Sequence, residues 1–282
     1  MVPMQLFNTQ LQSDNLQYGF KCNSSCSHAV FTLRTVVKRY VKDGSTVTLC
    51  ALDIAKAYNH VDHCALLILL DRHVSSNFIA LLYIGFQYAE FLCIGVPHYL
   101  LHFSVRAGVR QGGILSPVFF AIYIDVLIAR LKSASIGCSC KLAGVYYGCL
   151  IYADDIVLLA QTLNGMQQML DVCTDCGTDY DVKFNDTKPV AMRIGLRFNA
   201  VCKSLQLAGN CLQFVDSVKY LGVCILASSY LICSVEDAKM KFFHGFNCIF
   251  AKSKASGSEL NTVEHRQGLK HANSYKECKN AV

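Results

Sequence analysis

Charge is scarce in this chain. Of its 282 residues, Asp, Glu, Lys and Arg make up 16%, against 53% hydrophobic residues. So apolar a composition makes a membrane protein the first class to test. The best candidate span, Phe78 to Phe103, is interrupted by Gln87, Glu90, Pro97 and His98, and Ile114 to Leu131 carries Asp125 and Arg130. No stretch reaches the ~20 uninterrupted apolar residues that a spanning helix needs, so both segments read as core helices and no membrane partner is expected. A basic N-terminal region followed by an apolar block is also missing, and no secretory signal is expected. The sixteen cysteines lack order. Cys173-x-x-Cys176, Cys138-x-Cys140 and Cys22 with Cys26 have no matching second pair at zinc-site spacing. Cys50, Cys64, Cys93 and Cys149 lie in apparent core elements, where a free thiol behaves as a small hydrophobe. This usage points to a reducing, intracellular compartment. The net charge of +6 suits a polyanionic partner. The length allows a real core, as one large domain or two small ones.

What is present centres on Gly148 to Ala160, where Asp154 and Asp155 interrupt Cys149-Leu150-Ile151-Tyr152-Ala153 and Ile156-Val157-Leu158-Leu159. The run predicts strand, turn, strand. Two ionised acids in such a run are costly to bury without a cationic partner. Either they sit at an exposed hairpin tip, where Asp is common, or a divalent cation meets them. A second β-rich run, Thr46 to Leu52, ends on Asp53. If the two regions are neighbours in one sheet, Asp53, Asp154 and Asp155 converge at one edge. Two metal ions about 3.5–4 Å apart between such acids would clamp the attacking and leaving oxygens of a phosphoryl transfer.

Three segments then carry a resemblance. Ala51-Leu52-Asp53-Ile54-Ala55-Lys56-Ala57-Tyr58, Arg110-Gln111-Gly112-Gly113-Ile114-Leu115-Ser116-Pro117 and Tyr152-Ala153-Asp154-Asp155 resemble three successive motifs of reverse transcriptases, most nearly those of eukaryotic non-LTR retrotransposons. The resemblance covers roughly Leu11 to Phe250. It implies an α+β fold, the right-hand polymerase palm, with an antiparallel sheet backed by helices, partial fingers and an incomplete thumb. The implied organisation is fingers and a leading helix over 1–45, a palm over 46–230, and the start of a thumb with a polar, disordered tail over 231–282, truncated at both ends. The implied activity is RNA-directed DNA polymerisation on an RNA template from a DNA primer with deoxynucleoside triphosphates, using two Mg²⁺ ions (Mn²⁺ as an alternative) and no organic cofactor. The rival is an inactive remnant that at most binds nucleic acid.

The same resemblance assigns roles. Asp53 and Asp154 ligate metal with help from the Ile54 carbonyl, and Asp155 is a ligand or a supporting neighbour. Tyr58 is a steric gate against the 2′-hydroxyl. On a regular helix it would point about 140° away from residue 53, so a turn must intervene. Arg110, Gln111 and Gly112 border the nucleotide. Lys188, in Phe184-Asn185-Asp186-Thr187-Lys188, assists the pyrophosphate. Tyr220, Leu221 and Gly222 form the primer grip, and Gln17-Tyr18-Gly19-Phe20-Lys21 matches the fingers motif before a long helix.

The residues predict that helix independently. Ser25 or Ser27 caps it, Val30, Leu33, Val37 and Val41 keep helical spacing, and Asp43-Gly44 stops it. Arg34, Lys38 and Lys42 form a basic stripe, either a solvated face or a phosphate contact. Cys64 to Leu70 and Phe78 to Phe86 read as buried helix, and Tyr99 to Val105 as strand. Ser116 is expected to cap a helix that is apolar all round from Val118 to Leu131, with Pro117 at its first position. Asn164 to Cys176 reads as helix, Leu205 to Phe214 as a hairpin turning near Gly209-Asn210, and Val235 to Phe250 as helix.

Overall fold

The computed structural model describes residues 11–87, 90–95, 99–104, 107–110, 112–134, 141–142, 144–185 and 189–256. In chain order these form α1 (Cys26–Lys42), β1 (Val47–Asp53), a 3-10 turn (Ala57–Asn59), α2 (His63–Leu70), α3 (Ser76–Gln87), β2 (Glu90–Gly95), β3 (Tyr99–Ser104) and α4 (Ser116–Ser133). There follow β4 (Lys141–Leu142), β5 (Val145–Tyr146), β6 (Cys149–Tyr152), β7 (Asp155–Ala160), α5 (Leu163–Asp179) and β8 (Val190–Ile194). The last elements are β9 (Gln206–Leu207), β10 (Asn210–Cys211), β11 (Gln213–Phe214), β12 (Ser217–Tyr220), β13 (Val223–Leu226), β14 (Ile232–Ser234) and α6 (Glu236–Ser256).

The centre is a five-stranded sheet in the order β11-β8-β1-β7-β6. Val47, Thr48, Leu49 and Cys50 are buried in succession, as are Ile156 to Ala160. Because neighbouring strand side chains point to opposite faces, both faces of these strands are covered. Helices α1 (Leu33, Val36, Val37) and α5 (Met166, Met169, Leu170, Cys173) pack against these strands, and α4 (Phe120, Ile124, Leu127, Ile128) belongs to the same buried cluster and packs on α5. This is the expected α+β layering. One feature differs from an all-antiparallel sheet: β11 joins β8 in parallel, with Gln213 opposite Val190. A two-residue strand carries no alternation from which orientation could be read.

Ser25 caps α1, accepting from the His28 N–H, and Asp43 ends it. Ser116 does not cap α4. Leu115 occupies the cap, and the Ser116 hydroxyl donates to the Arg110 carbonyl at 2.6 Å. Helix α3 also departs from expectation, since it buries none of its residues and Leu81 and Ile84 are 63% and 53% exposed. Apolar composition without a one-sided stripe does not say whether neighbours exist to cover a helix. Among the described residues no helix is long and apolar enough to cross a membrane.

The chain divides into two compact units, Met1–Leu221 with Ile225–Cys233, and Gly222–Cys224 with Ser234–Val282. The first holds the five-stranded sheet. The second holds α6, along which the rings of Phe242, Phe246 and Phe250 stack at centroid distances of 6.4 and 6.1 Å.

Candidate active site

The two acidic segments meet. Strand β1 pairs antiparallel with β7 so that Asp53 lies directly opposite Asp155, and β6 pairs with β7 with Tyr152 opposite Asp155. Ala153 and Asp154 form the two-residue turn between β6 and β7, and the Ile54 N–H donates to the Asp154 carbonyl at 3.2 Å. The end of β1 is thus fastened to the hairpin tip. Asp154 and Asp155 are exposed, and Asp53 is partly buried.

Asn185 holds Asp53 from the other side. Its backbone N–H donates to the Asp53 carbonyl at 2.8 Å, and its side-chain amide donates to Asp53 Oδ2 at 3.3 Å. Asn185 lies in the segment quoted for Lys188, but residue type alone gives no sign of this contact. Lys188 and Gln111 lie outside the described residues.

The turn required between Asp53 and Tyr58 is present. Lys56 adopts φ 48°, and the 3-10 turn at Ala57–Asn59 follows. Tyr58 packs on Phe120 with ring centroids 5.4 Å apart. Burial pushes its phenol above the usual range, and the nearby charge of Asp154 adds to the rise. The gate candidate therefore lies within the field of the hairpin acid. The Arg110 loop is laced to the same place, because Val109 N–H donates to the Tyr58 carbonyl at 2.7 Å and Gly108 N–H to the Val61 carbonyl at 2.8 Å. A Cβ on Gly108 would meet the Tyr58 and Asn59 carbonyl oxygens at 3.0 Å. Gly112 has φ 82° with open space around it, so its backbone angle and not crowding calls for glycine there. The Arg110 side chain is exposed.

Tyr220, the first of the primer-grip candidates, lies in the core. It is 3% exposed, and its hydroxyl is buried without a hydrogen-bond partner among the described residues. Burial pushes its phenol up, and the charge of Asp155 contributes. Leu221 and Gly222 follow in a turn with φ 45° and 84°.

One residue pointed out only as part of a motif proves central to the turn. Gln17 is fully buried, and its Oε1 accepts from the Gly19 N–H at 2.9 Å and the Ala153 N–H at 3.2 Å. No periodicity in the sequence marks it.

The acids suit a hard cation, since carboxylate and carbonyl oxygens are what Mg²⁺ binds. Among the described residues, however, no three His, Cys, Asp or Glu side chains are grouped so as to hold a metal ion. Tyr58 lies in the field of Asp154 and Tyr220 in that of Asp155. Mg²⁺ usually relies on one or two carboxylates plus waters and substrate phosphates, not an all-protein cage. Asp53, Asp154 and the Ile54 carbonyl are donors of the kind that mode uses.

Comparison with known proteins gives the family and the fold. The family model described as "Reverse transcriptase (RNA-dependent DNA polymerase)" matches residues 3–225. The Pol polyprotein of the type-2 retrotransposable element R2DM of Drosophila melanogaster is 25% identical over 236 residues, which cover 80% of this chain and 22% of that protein. The Pol polyprotein of the R2 element of Popillia japonica is 32% identical over 137 residues, 44% of this chain and 21% of that protein. The chain thus spans about a fifth of the length of these relatives. Among solved structures, telomerase from Candida tropicalis in complex with a fragment of telomeric RNA superposes with a TM-score of 0.62 at 14% identity, covering 99% of this chain and 45% of that one. Apo telomerase of the same organism, truncated from its C-terminal domain, gives 0.58 at 15% identity, over 75% and 40% of the two chains.

Proposed function

The chain belongs to the reverse transcriptase family, as the domain of a non-LTR retrotransposon, and from that premise we propose that it extends a DNA primer on an RNA template by adding deoxynucleotides. The observation that carries the reading is the β1–β7 register, which sets Asp53 opposite Asp155 and fastens Ile54 to Asp154. In this reading residues 46–230 are the palm, 1–45 the fingers and leading helix, and 231–282 the start of the thumb.

Asp53 and Asp154, with the Ile54 carbonyl, would hold two Mg²⁺ ions or Mn²⁺. When bound, these supply positive charge at the primer 3′-hydroxyl, the α-phosphate and the pyrophosphate leaving group. Asn185 keeps the Asp53 carboxylate oriented. Tyr58 excludes the 2′-hydroxyl of a ribonucleotide, and the loop of Arg110, Gln111 and Gly112 borders the incoming nucleotide. Lys188 offers a proton or a charge to the departing pyrophosphate, help typically worth ~10²–10⁴ in rate. Asp155 supports its neighbours beside Tyr220, and Tyr220, Leu221 and Gly222 steady the primer end. The reaction takes place inside the cell.

Primer extension on an RNA template with Mg²⁺, beside an Asp53→Ala control, tests the reading. Extension with deoxynucleotides that the control lacks is expected, and equal extension by both proteins would sink it. Ribonucleotides should enter poorly, and Tyr58→Ala should admit them. The rival reading, a nucleic-acid-binding remnant, draws on the lack of a three-sided acidic group among the described residues. It predicts template binding with no extension.

A further inference from the structure

The tip of the β6–β7 hairpin is strained, and what holds it comes from more than a hundred residues away. Ala153 has φ 58°, a left-handed conformation that non-glycine residues keep only where the surroundings over-determine it. Residues 16–19 supply those surroundings as a strap along the edge of β6. Tyr18 N–H donates to the Ile151 carbonyl at 2.8 Å, and Ile151 N–H donates to the Leu16 carbonyl at 2.9 Å. This places Gln17 beside Ile151 in a parallel bridge. The strap is seated at its start by Asp14, whose N–H donates to Asp125 Oδ2 at 2.7 Å and whose carboxylate accepts from Lys132.

We propose that Gln17 is a positioning residue for the catalytic turn, its side-chain oxygen fixing the Ala153 amide and thereby the stance of the Asp154 carboxylate. The role given to Asp154 rests on the polymerase reading; the role given to Gln17 rests on hydrogen bonding. Three observations separate this from ordinary packing. Gln17 is 0% exposed, and burying an amide is costly unless it is hydrogen-bonded, so an apolar side chain would fill the space more cheaply. Its oxygen accepts two N–H groups, one from the strap at Gly19 and one from the turn at Ala153, which joins the two segments. Gly19 completes the seat: a Cβ there would lie 2.6 Å from the Ala153 nitrogen, so the strap backbone presses directly on the turn. In the chain Asp154 follows Ala153, so freeing that amide frees the acid.

The test compares the parent chain with Gln17→Met, which keeps the bulk and loses the acceptor, and Gly19→Ala, which keeps the acceptor and pushes on the turn. Three readings are taken: amide hydrogen exchange by NMR, Mn²⁺ affinity by electron paramagnetic resonance, and steady-state primer extension. In Gln17→Met the Ala153 amide should exchange about tenfold faster or more, as expected for the loss of one buried hydrogen bond. In Gly19→Ala it should also exchange faster, because the added Cβ displaces the turn from its acceptor. Leu158 and Leu159 in the sheet should stay protected, and Mn²⁺ should bind more weakly. Turnover should fall about tenfold or more while the deoxynucleotide KM changes little, the pattern of a misplaced reacting group. Parental exchange and Mn²⁺ affinity in both variants would overturn the proposal. So would loss of protection at Leu158 and Leu159 together with Ala153, which would reduce Gln17 to a general folding role. If Gln17→Met does not fold, Gly19→Ala decides by the same readings. A parent that extends no primer would end the polymerase reading, while exchange at Ala153 and Mn²⁺ affinity would still judge Gln17.

Discussion

Among the described residues, two hairpin turns begin with an alanine in the left-handed region. Between β9 and β10 stand Ala208, at φ 50°, and Gly209, at φ 81°. Between β6 and β7 stand Ala153, at φ 58°, and Asp154. Left-handed backbone costs an L-residue roughly 1–2 kcal/mol. The first turn spends little to absorb this. Ala208 is exposed, its N–H reaches the Thr174 hydroxyl at 3.1 Å, glycine takes the second place, and a Cβ on Gly209 would meet open space. The second turn is built the hard way. Its alanine is 9% exposed, its second residue is an acid, and it is held by Gln17, by the backbone of Gly19 and by Ile54. Similar φ values at the two alanines therefore have unequal surroundings: one turn only reverses the chain, whereas the other, in the proposed reading, must present a carboxylate at a fixed place.

Experiments can widen or close that gap. The largest effect is expected for Asp154→Asn. It keeps the turn and removes the charge, and extension should fall ~10²–10³-fold, the scale of removing one electrostatic stabiliser. Template affinity, measured by a filter or anisotropy assay, should stay near the parent value. A parental extension rate would make the two turns equivalent and void the site assignment.

A smaller, pH-dependent effect is expected where the strap is seated. Burial pushes the Asp125 carboxyl up to about 7 and the Asp14 charge also raises it, while the Asp14 backbone N–H and the charges of Lys21 and Lys132 pull it down. The folded chain then holds this proton to higher pH than the unfolded chain does. Its contribution to stability is fully present below about pH 4 and is lost as the pH rises to 7. Urea titrations should show Asp125→Asn gaining on the parent across that window and holding a constant lead above it. A gap that does not change with pH would mean that Asp125 is ionised throughout.

Thr174→Val removes the hydroxyl that meets Ala208 and should cost about 0.5–1.5 kcal/mol in urea denaturation. Extension should not change. The smallest effects are expected from glycine itself. Ala208→Gly and Ala153→Gly each relieve left-handed strain and each loosen the unfolded chain, so stability should change by less than ~1 kcal/mol in either. Extension should drop only for Ala153→Gly, where a freer turn carries the acid. Equal activity in the two variants would show that rigidity at the β6–β7 tip is immaterial.

The sequence revealed the parts of this site that obey local rules. A β-rich run ending on Asp53 and a hairpin through Asp154 are properties of neighbours in the chain, and each is found; the turn before Tyr58, which the resemblance required, is also present. The apolar helix over Val118 to Leu131 is found as well, within α4. What escaped notice depends on partners far away. Gln17 reads as one polar residue in a mixed segment, and only its meeting with Ala153, 136 positions on, gives it a role. Ser116 has the residue type of a helix cap, yet its hydroxyl is taken by Arg110. The α3 segment reads as buried because it is apolar, but hydrophobicity does not report whether another surface lies against it. Tyr220 is singled out only by its likeness to a primer grip, which says nothing of burial, and its place in the core follows from packing that no motif records.

The pairing of Asp53 with Asp155 couples inheritance of the fold to inheritance of the chemistry. Along β1 and β7 both faces are buried, with Leu49, Leu52, Val157 and Leu159 among the covered residues, so sliding one strand by a single position would exchange the side chains that meet each face at the same moment that it separated the acids. No gradual shear of these strands can silence the chain while leaving it well folded. Copies that accumulate errors must lose function either abruptly, by replacement of an acid within an intact sheet, or together with the whole core, and sequences of decayed copies would sort into those two groups.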